Sequence, residues 1–397
     1  MGESYLVPAS SSHIAKIIGS SFKLAKEGWL SPYTGKTIRF NWWEEGSPFR
    51  YTHLLCSAHY GIREPNYRKI NNLPDDLVII SDSGGFQIAT RELMGIKLDY
   101  DPQKVLKWQE DNSNIAIGLD SPTAIGPIRA TDEVFKRKCE FLYKNNQIYE
   151  KSRNNPKCQI YNVLHGEDLD RLEYWYNAQK EFKFDGWASA VKPPWAPMKM
   201  AFGAMFLYSK GIRKNLHVLG TTGIDVIPVL AYISNFIDNV TYDSATFGQG
   251  AMSRLFMTPL TLKWDMSFGD NTNVKNLKDI PCGCPICQNM TLKELNAPGS
   301  LGGVSISAHN LYWILEYSKM MNRLKVEKKI FMKFIKDMCN PETLHAIDFV
   351  DITIEKGFDA AYQKYRMHED LFRWKPDKPD QPGLFNLEEV EKDGNST

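Results

Sequence analysis

Residues 77–87 read LVIISDSGGFQ: four apolar, mostly β-branched residues, then a hydroxyl, an acid, a second hydroxyl, two glycines, an aromatic and an amide. The apolar run reads as a buried strand, and the polar residues after it decide whether the strand ends in a plain turn or at a site. Taken alone the stretch is a turn, because Asp and Ser bond nearby backbone amides and glycine tolerates positive φ. The same residues also suit a ligand loop in which Asp82 titrates, the glycines let a flat ligand approach the backbone, and Phe86 offers a stacking face.

The rest of the chain supplies the context. Runs of the same kind recur at YLVPA (from Tyr5), HLLCS (His53), IAIGL (Ile115), QIYNVL (Gln159), DGWASAV (Asp185), LHVLG (Leu216) and VTYDS (Val240), which with Leu77 makes eight. Between them lie stretches with apolar residues at three- and four-residue spacing, such as those from Lys104, Asp132 and Asp168. Eight strand–helix units predict an α/β fold, a (β/α)8 barrel over residues 1–266. Two stretches break the alternation: an aromatic-rich insertion near 29–50 and a cysteine-bearing insertion over 267–310. A closing helix and helical segment are expected over 311–372, and the Pro-, Asp-, Lys- and Glu-rich residues 373–397 predict a disordered tail.

Bulk composition narrows the function classes. Among 397 residues, 48 Lys and Arg oppose 47 Asp and Glu, so any nucleic-acid contact must come from a local patch. No apolar run reaches membrane-spanning length and no basic-then-apolar leader opens the chain, which predicts a cytoplasmic protein without a membrane partner. Seven cysteines, three of them in PCGCPICQN, favour a metal site over a disulfide framework.

In a parallel barrel, chemistry gathers at the carboxyl ends of the strands. Asp82, Asp120, His165, the segment from Trp187 to Lys192, Gly220 and Asp243 all fall there, so three carboxylates from different strands are expected to meet at one mouth. Asp also favours loop starts and N-caps for structural reasons, which is the competing account of any one of them. Cys282, Cys284 and Cys287 form CxCxxC, and His309 comes after 21 intervening residues at an expected helix start. That set fits a tetrahedral Cys3His zinc site with no open position for water, hence a structural one. Lys192, Lys199, Arg213 and Arg254 are candidates for holding phosphates, and Trp42 and Trp43 either stack on an unpaired strand or form a satellite apolar cluster.

The ordered series DSGGFQ, an Asp at the next strand end, YDSATF, and CxCxxC with a distal His-Asn resembles the tRNA-guanine transglycosylase superfamily over about residues 1–325. The resemblance implies a barrel with a zinc subdomain inserted before the last helix, exchanging guanine in a nucleic acid for a 7-deazaguanine. It implies Asp243 as the nucleophile and Asp82 as the general acid/base. Asp120 would read the purine edge, and Phe86 and Leu219 would sandwich the ring. Ser83, Gly84, Gly85, Gln87, His165, Ala188, Ser189 and Gly220 complete the implied substrate set, with His165 at or beside a family glutamine. The chain departs from the family at Ser121-Pro122, at GWASAVK and after Asp243, a pattern resembling the DpdA branch of DNA-guanine transglycosylases. DNA with an unpaired or flipped guanine and a preQ0-type base are then the expected substrates, with a helper protein to open the duplex as an expected partner. Two alternatives stay open: a divergent enzyme acting on tRNA, and a non-catalytic accessory paralogue. A glycoside hydrolase barrel would also use paired carboxylates, but it has no use for CxCxxC with a distal His.

Overall fold

The computed structural model describes residues 2–9, 27–63, 65–95, 100–125, 128–191, 197–259, 261–262, 264–267, 282–295 and 297–367. The expected tail, Lys192 and residues 268–281 lie outside the described residues.

All eight apolar runs form strands: β1 (Ser4–Pro8), β2 (His53–Ser57), β3 (Val78–Asp82), β4 (Ile115–Ile117), β5 (Gln159–Leu164), β6 (Gly186–Ser189), β7 (Lys214–Val218) and β8 (Asp238–Ser244). From β2 onward each pairs in parallel with its sequence neighbour, and β8 pairs with β1. A parallel bridge between Ala9 and Leu55 joins β1 to β2 and closes the (β/α)8 barrel. Parallel sheets are covered on both faces, which is why these strands read as nearly continuous apolar runs.

The crossover helices start where the sequence supplies caps. Asp101 accepts the Gln103 amide at 2.9 Å ahead of α1 (Pro102–Asn112), with proline at the first helical position. Thr131 caps α2 (Asp132–Ser152), whose first turn carries Asp132 and Glu133 and whose last turn carries Lys151, in accord with the helix dipole. Asp168 caps α3 (Leu169–Gln179), its carboxylate accepting the Arg171 amide at 2.9 Å. The three-residue β4 leaves carbonyls short of partners, and the buried Gln109 amide of α1 donates to Ser81 O at 3.2 Å and Ile117 O at 3.0 Å. On the far side α4 (Pro197–Ser209) packs against the helix Pro341–Lys356 through Phe202 and Phe349.

The two stretches that interrupt the alternation pack on each other. Ile38 and Phe40 of the first share an apolar cluster with Cys282, Cys284, Ile286, Met290, Leu295 and Ala308 of the second. The Trp29 indole donates to Glu294 at 2.9 Å and Lys36 to Asn289 at 2.8 Å. Trp42 and Trp43 are buried in the main core, edge to face, and the Trp42 indole donates to His53 O; they present no stacking surface. The helix that carries His309, α5 (Ser300–Leu324), begins nine residues ahead of the histidine and places it mid-helix. Its small, polar opening SLGGVSIS hides the start from any periodicity argument. No helix of the described residues is long and apolar enough to cross a membrane.

Gly186 marks how tightly β6 is held. A Cβ there would stand 2.4 Å from Asn215 O and 2.8 Å from the Tyr161 ring. Gly186→Ala should lower stability by about 1–3 kcal/mol through overpacking, read as a shift in denaturant midpoint at unchanged slope. A midpoint equal to that of the parent protein would contradict this packing.

Candidate active site and metal centre

The barrel brings Asp82, Asp120 and Asp243 together. Asp82 is the last residue of β3, level with Ser57 of β2, and its Oδ1 accepts the Gly84 amide at 2.8 Å. Asp120 lies three residues past β4, buried, with its two oxygens divided between neighbours. Oδ2 accepts from His165 Nε2 at 2.7 Å and Oδ1 from the Ser83 hydroxyl at 3.3 Å. Asp243 sits inside β8 opposite Val7, 8 % exposed, and its Oδ1 accepts the Gly220 amide at 2.7 Å.

Asp82 lies deep in the mouth, partly accessible but walled by protein. Burial pushes its carboxyl up from 3.8 to about 7. The hydrogen bond from the Gly84 amide and the nearby Ser57 hydroxyl work against the rise, and the charges of Asp243 and Asp120 add to it. A carboxyl with its midpoint near neutrality can both give and take a proton at physiological pH.

Both glycines answer to protein neighbours. Gly84 has φ +86°, and a Cβ on it would meet the His59 side chain at 2.8 Å; a Cβ on Gly85 would lie 2.3 Å from Asp120 Oδ1. The glycines therefore let β3's loop pass against His59 and let Asp120 approach the start of the helix Gly85–Leu93. Phe86, 41 % exposed, and half-buried Leu219 reach the surface of the mouth. Ala188 is fully buried in β6. Ser189 Oγ stands 2.7 Å from where a Gly203 Cβ would be, so this hydroxyl faces α4 and not the mouth. The Gly220 amide is spent on Asp243, which leaves its carbonyl for any ligand.

Buried polar atoms without a protein partner recur around the same strand ends: Gln87 Oε1, Ser121 Oγ, His165 Nδ1 and Thr222 Oγ1. In the neutral imidazole, donation from His165 Nε2 to Asp120 leaves Nδ1 as an acceptor. Such atoms at a carboxylate-lined mouth fit a planar ligand rich in donors and acceptors. Two histidines here carried no signal in the sequence. His217 is fully buried, 3.3 Å from Asp243. His59 is hydrogen-bonded to Tyr100 beside the Gly84 turn. His217 falls inside an apolar strand pattern, where the side chain facing the barrel axis is known only once the register is.

The phosphate candidates fare differently. Lys199 is buried and donates to Glu167 O at 2.7 Å, Arg213 donates to Tyr208 O, and Arg254 donates to Ala297 O at 2.8 Å. Each already serves a backbone carbonyl. Arg63 and Arg91 are the cations whose charge acts on His59 and Tyr100 at the Asp82 side of the mouth.

The metal-ligating groups of Cys282, Cys284, Cys287 and His309 all lie within 4.8 Å of one another. His309 Nδ1 faces the three sulfurs at 3.6, 3.2 and 3.3 Å, and its Nε2 donates to Met257 O at 2.8 Å. That outer bond fixes the tautomer that leaves Nδ1 as a lone-pair ligand. The Trp313 indole donates to Cys282 Sγ at 3.2 Å, and the Cys284 and Cys287 amides point to the sulfurs of Cys282 and Cys284. Donors turned toward sulfur suit thiolates, and three thiolates at this distance need a cation between them. The donor set and its surroundings therefore fit a four-coordinate metal site.

Both centres can be probed without substrate. Asp82 binds its proton more tightly folded than unfolded, so stability falls as pH rises from about 4 through about 7. Asp82→Asn removes this loss: unfolding at a series of pH values should show the variant gaining on the parent between pH 5 and 8, by about 1–4 kcal/mol. A difference independent of pH would refute the raised carboxyl. At the metal site, Cys284→Ala should release bound metal, lower Tm and change the emission of Trp313. A variant that keeps a stoichiometric ion would show that the cluster is not the site.

The chain is similar to proteins named tRNA-guanine(15) transglycosylase. Identity is 24% over 294 residues with that of Saccharolobus solfataricus, covering 70% of this chain and 54% of the relative. With that of Methanococcus aeolicus it is 25% over 349 residues, 81% and 50%. With that of Methanocaldococcus jannaschii it is 24% over 320 residues, 75% and 46%. The chain spans about half the length of the curated relatives it matches. No family model matches it. These low-identity similarities support the tRNA-guanine transglycosylase superfamily, the same one that the motif series resembles.

Proposed function

We propose that the protein is a guanine transglycosylase that exchanges guanine in DNA for a 7-deazaguanine base of the preQ0 type, through a covalent Asp243–nucleotide intermediate. The observation that carries the reading is the pairing at one mouth of Asp82, held near neutrality, with Asp243, anchored by the Gly220 amide. In the first displacement an Asp243 oxygen attacks C1′, the C1′–N9 bond breaks, and its electron pair leaves with the purine. Protonated Asp82 gives its proton to that base. In the second, ionised Asp82 takes the N9 proton of the incoming base, whose N9 attacks C1′ and expels the Asp243 carboxylate. The glycosyl bond energy is retained throughout, so the exchange needs no nucleotide triphosphate.

Asp120 and His165 would read the purine edge, with Phe86 and Leu219 on its faces. Because both Asp120 oxygens already accept protein hydrogen bonds, the pair acts as one unit whose free acceptors include His165 Nδ1. The Cys3His cluster would hold zinc in a structural role, since its four protein ligands leave no open position. Arg63 and Arg91, beside the aromatic residues His59, Tyr60 and Tyr100, would meet phosphates of an unpaired strand.

DNA is preferred because the chain departs from the family at strand ends around the mouth, at Ser121-Pro122, in the segment Trp187 to Lys192, of which Trp187 and Ser189 face the helices, and after Asp243. The second reading, exchange in tRNA, is favoured by the names of the similar proteins. An accessory scaffold has no need of both Asp82 and Asp243. The deciding assay offers DNA and tRNA with labelled guanine or preQ0 at low salt, with and without cell extract to supply a strand-opening partner. Label should enter DNA, and Asp243→Asn should abolish both incorporation and the denaturation-resistant adduct. Label in tRNA alone would replace the polymer and keep the chemistry; an adduct persisting in Asp243→Asn would overturn the nucleophile.

A further inference from the structure

We infer that His217 is a positioning residue for Asp243, fixing which carboxylate oxygen is restrained and which is left to react. The inference rests on the transglycosylase reading for its chemical meaning, but its geometry stands apart from that reading.

His217 lies on β7, level with Thr241 of β8 and two residues before Asp243 in that register. Its ring is fully buried. Nδ1 stands 2.9 Å from Thr241 Oγ1, and Nε2 stands 3.3 Å from Asp243 Oδ1. The Thr241 hydroxyl has one proton and two acceptors in reach, His217 Nδ1 at 2.9 Å and Leu216 O at 3.4 Å. If it donated to Leu216 O, Nδ1 would carry the imidazole proton and the bare Nε2 would confront a carboxylate oxygen, lone pair against lone pair. Donation to Nδ1 uses the shorter contact and puts the imidazole proton on Nε2, the nitrogen 3.3 Å from Asp243 Oδ1, where it faces the carboxylate as a dipole without forming a hydrogen bond. The threonine thus selects the tautomer.

Asp243 Oδ1 then accepts the Gly220 amide at 2.7 Å and has His217 Nε2 beside it at 3.3 Å, a charge–dipole contact that falls outside hydrogen-bond geometry. No hydrogen bond from the described residues reaches Oδ2. With Oδ1 bonded to the Gly220 amide and the buried His217 ring packed beside it, rotation of the carboxylate is restricted and Oδ2 is the oxygen left to react. The same N–H groups receive charge on Oδ1 when the carboxylate departs in the second displacement. A displacement reaction is sensitive to about 1 Å in the position of the attacking atom, at a cost of about 100-fold in rate. His217 acts through Asp243 and need not touch substrate.

Two amide substitutions separate the role from mere space-filling. In His217→Gln the side-chain amide nitrogen falls near the position of Nε2 and can donate to Asp243. In His217→Asn it falls near Nδ1 and reaches only Thr241. The rate of adduct formation should fall about 10- to 100-fold in His217→Leu and His217→Asn, recover to within about 10-fold of the parent in His217→Gln, and leave guanine affinity unchanged in all three. Thr241→Val, nearly isosteric, should slow the adduct step while folding normally, because it frees the imidazole to take the other tautomer. Parental rates in His217→Leu, or equal losses in the Gln and Asn variants at equal Tm, would overturn the assignment. A readout independent of any substrate accompanies these: 15N resonances of labelled histidine should show His217 protonated at Nε2 in the parent protein. Protonation at Nδ1 alone would overturn the inference, whereas a parent that exchanges no base in either polymer would overturn the functional reading and leave the tautomer result standing.

Discussion

Parallel pairing of β8 with β1 on one side and β7 on the other puts Asp243 level with Val7 and brings the chain past Val218 close enough for the Gly220 amide to reach it. The same pairing logic, carried around the barrel and closed by the Ala9–Leu55 bridge, sets Asp82 level with Ser57. A slip of one residue in any strand would turn its carboxylate outward into the helix layer. That layer is already filled: Tyr242, the neighbour of Asp243, points outward and donates to Ser318 of α5 at 2.6 Å. Register and outer packing therefore enforce one another, and the convergence of the acids is a consequence of both.

Convergence creates an electrostatic tension that the mouth resolves unequally. Three carboxylates in one concave site cannot all be ionised at low cost. Asp120 is given His165 and the Ser83 hydroxyl, and Asp243 is given an amide and faces His217. Asp82 receives the Gly84 amide, and the protein walls around it outweigh that bond. That Asp82 is pushed up thus depends on the neighbours its strand end brings.

The barrel was legible because its signal is local: eight apolar runs with helical intervals, each strong enough to identify alone. The cysteine cluster was legible for the same reason, since CxCxxC fixes three ligands within six residues. Less was legible where a side chain's meaning depends on a distant partner. His217 looks like an interruption of an apolar strand until β7 is aligned with β8. Gly85 looks like a gift to a ligand until Asp120 is placed against it. Ser189 counts as a mouth residue by sequence position and faces the helices by alternation. Lys199 and Arg254 read as loop cations, and both turn inward to satisfy carbonyls that sequence cannot locate. Trp42 and Trp43 took the commoner fate of paired tryptophans and entered the core.

The metal centre and the mouth are joined more closely than an inserted subdomain suggests. The segment after Asp243 runs through the helix Thr246–Met252 to Leu255 and Met257, and Asn310 takes hold of it at three points. Its amide donates to Phe247 O at 3.2 Å and Leu255 O at 3.1 Å, and its oxygen accepts the Met257 amide at 2.8 Å. Met257 O in turn accepts from His309 Nε2, and Phe256 stacks on the same ring at 3.5 Å. A ligand of the metal cluster and its neighbour in sequence thus clamp the chain that leaves the Asp243 strand. An ion held there would do more than fold its own loop: by fixing His309 it would fix the frame against which the end of β8 is held. Asn310 and His309, adjacent in sequence, thus hold the same segment from two sides, one through its amide and the other through Met257 O.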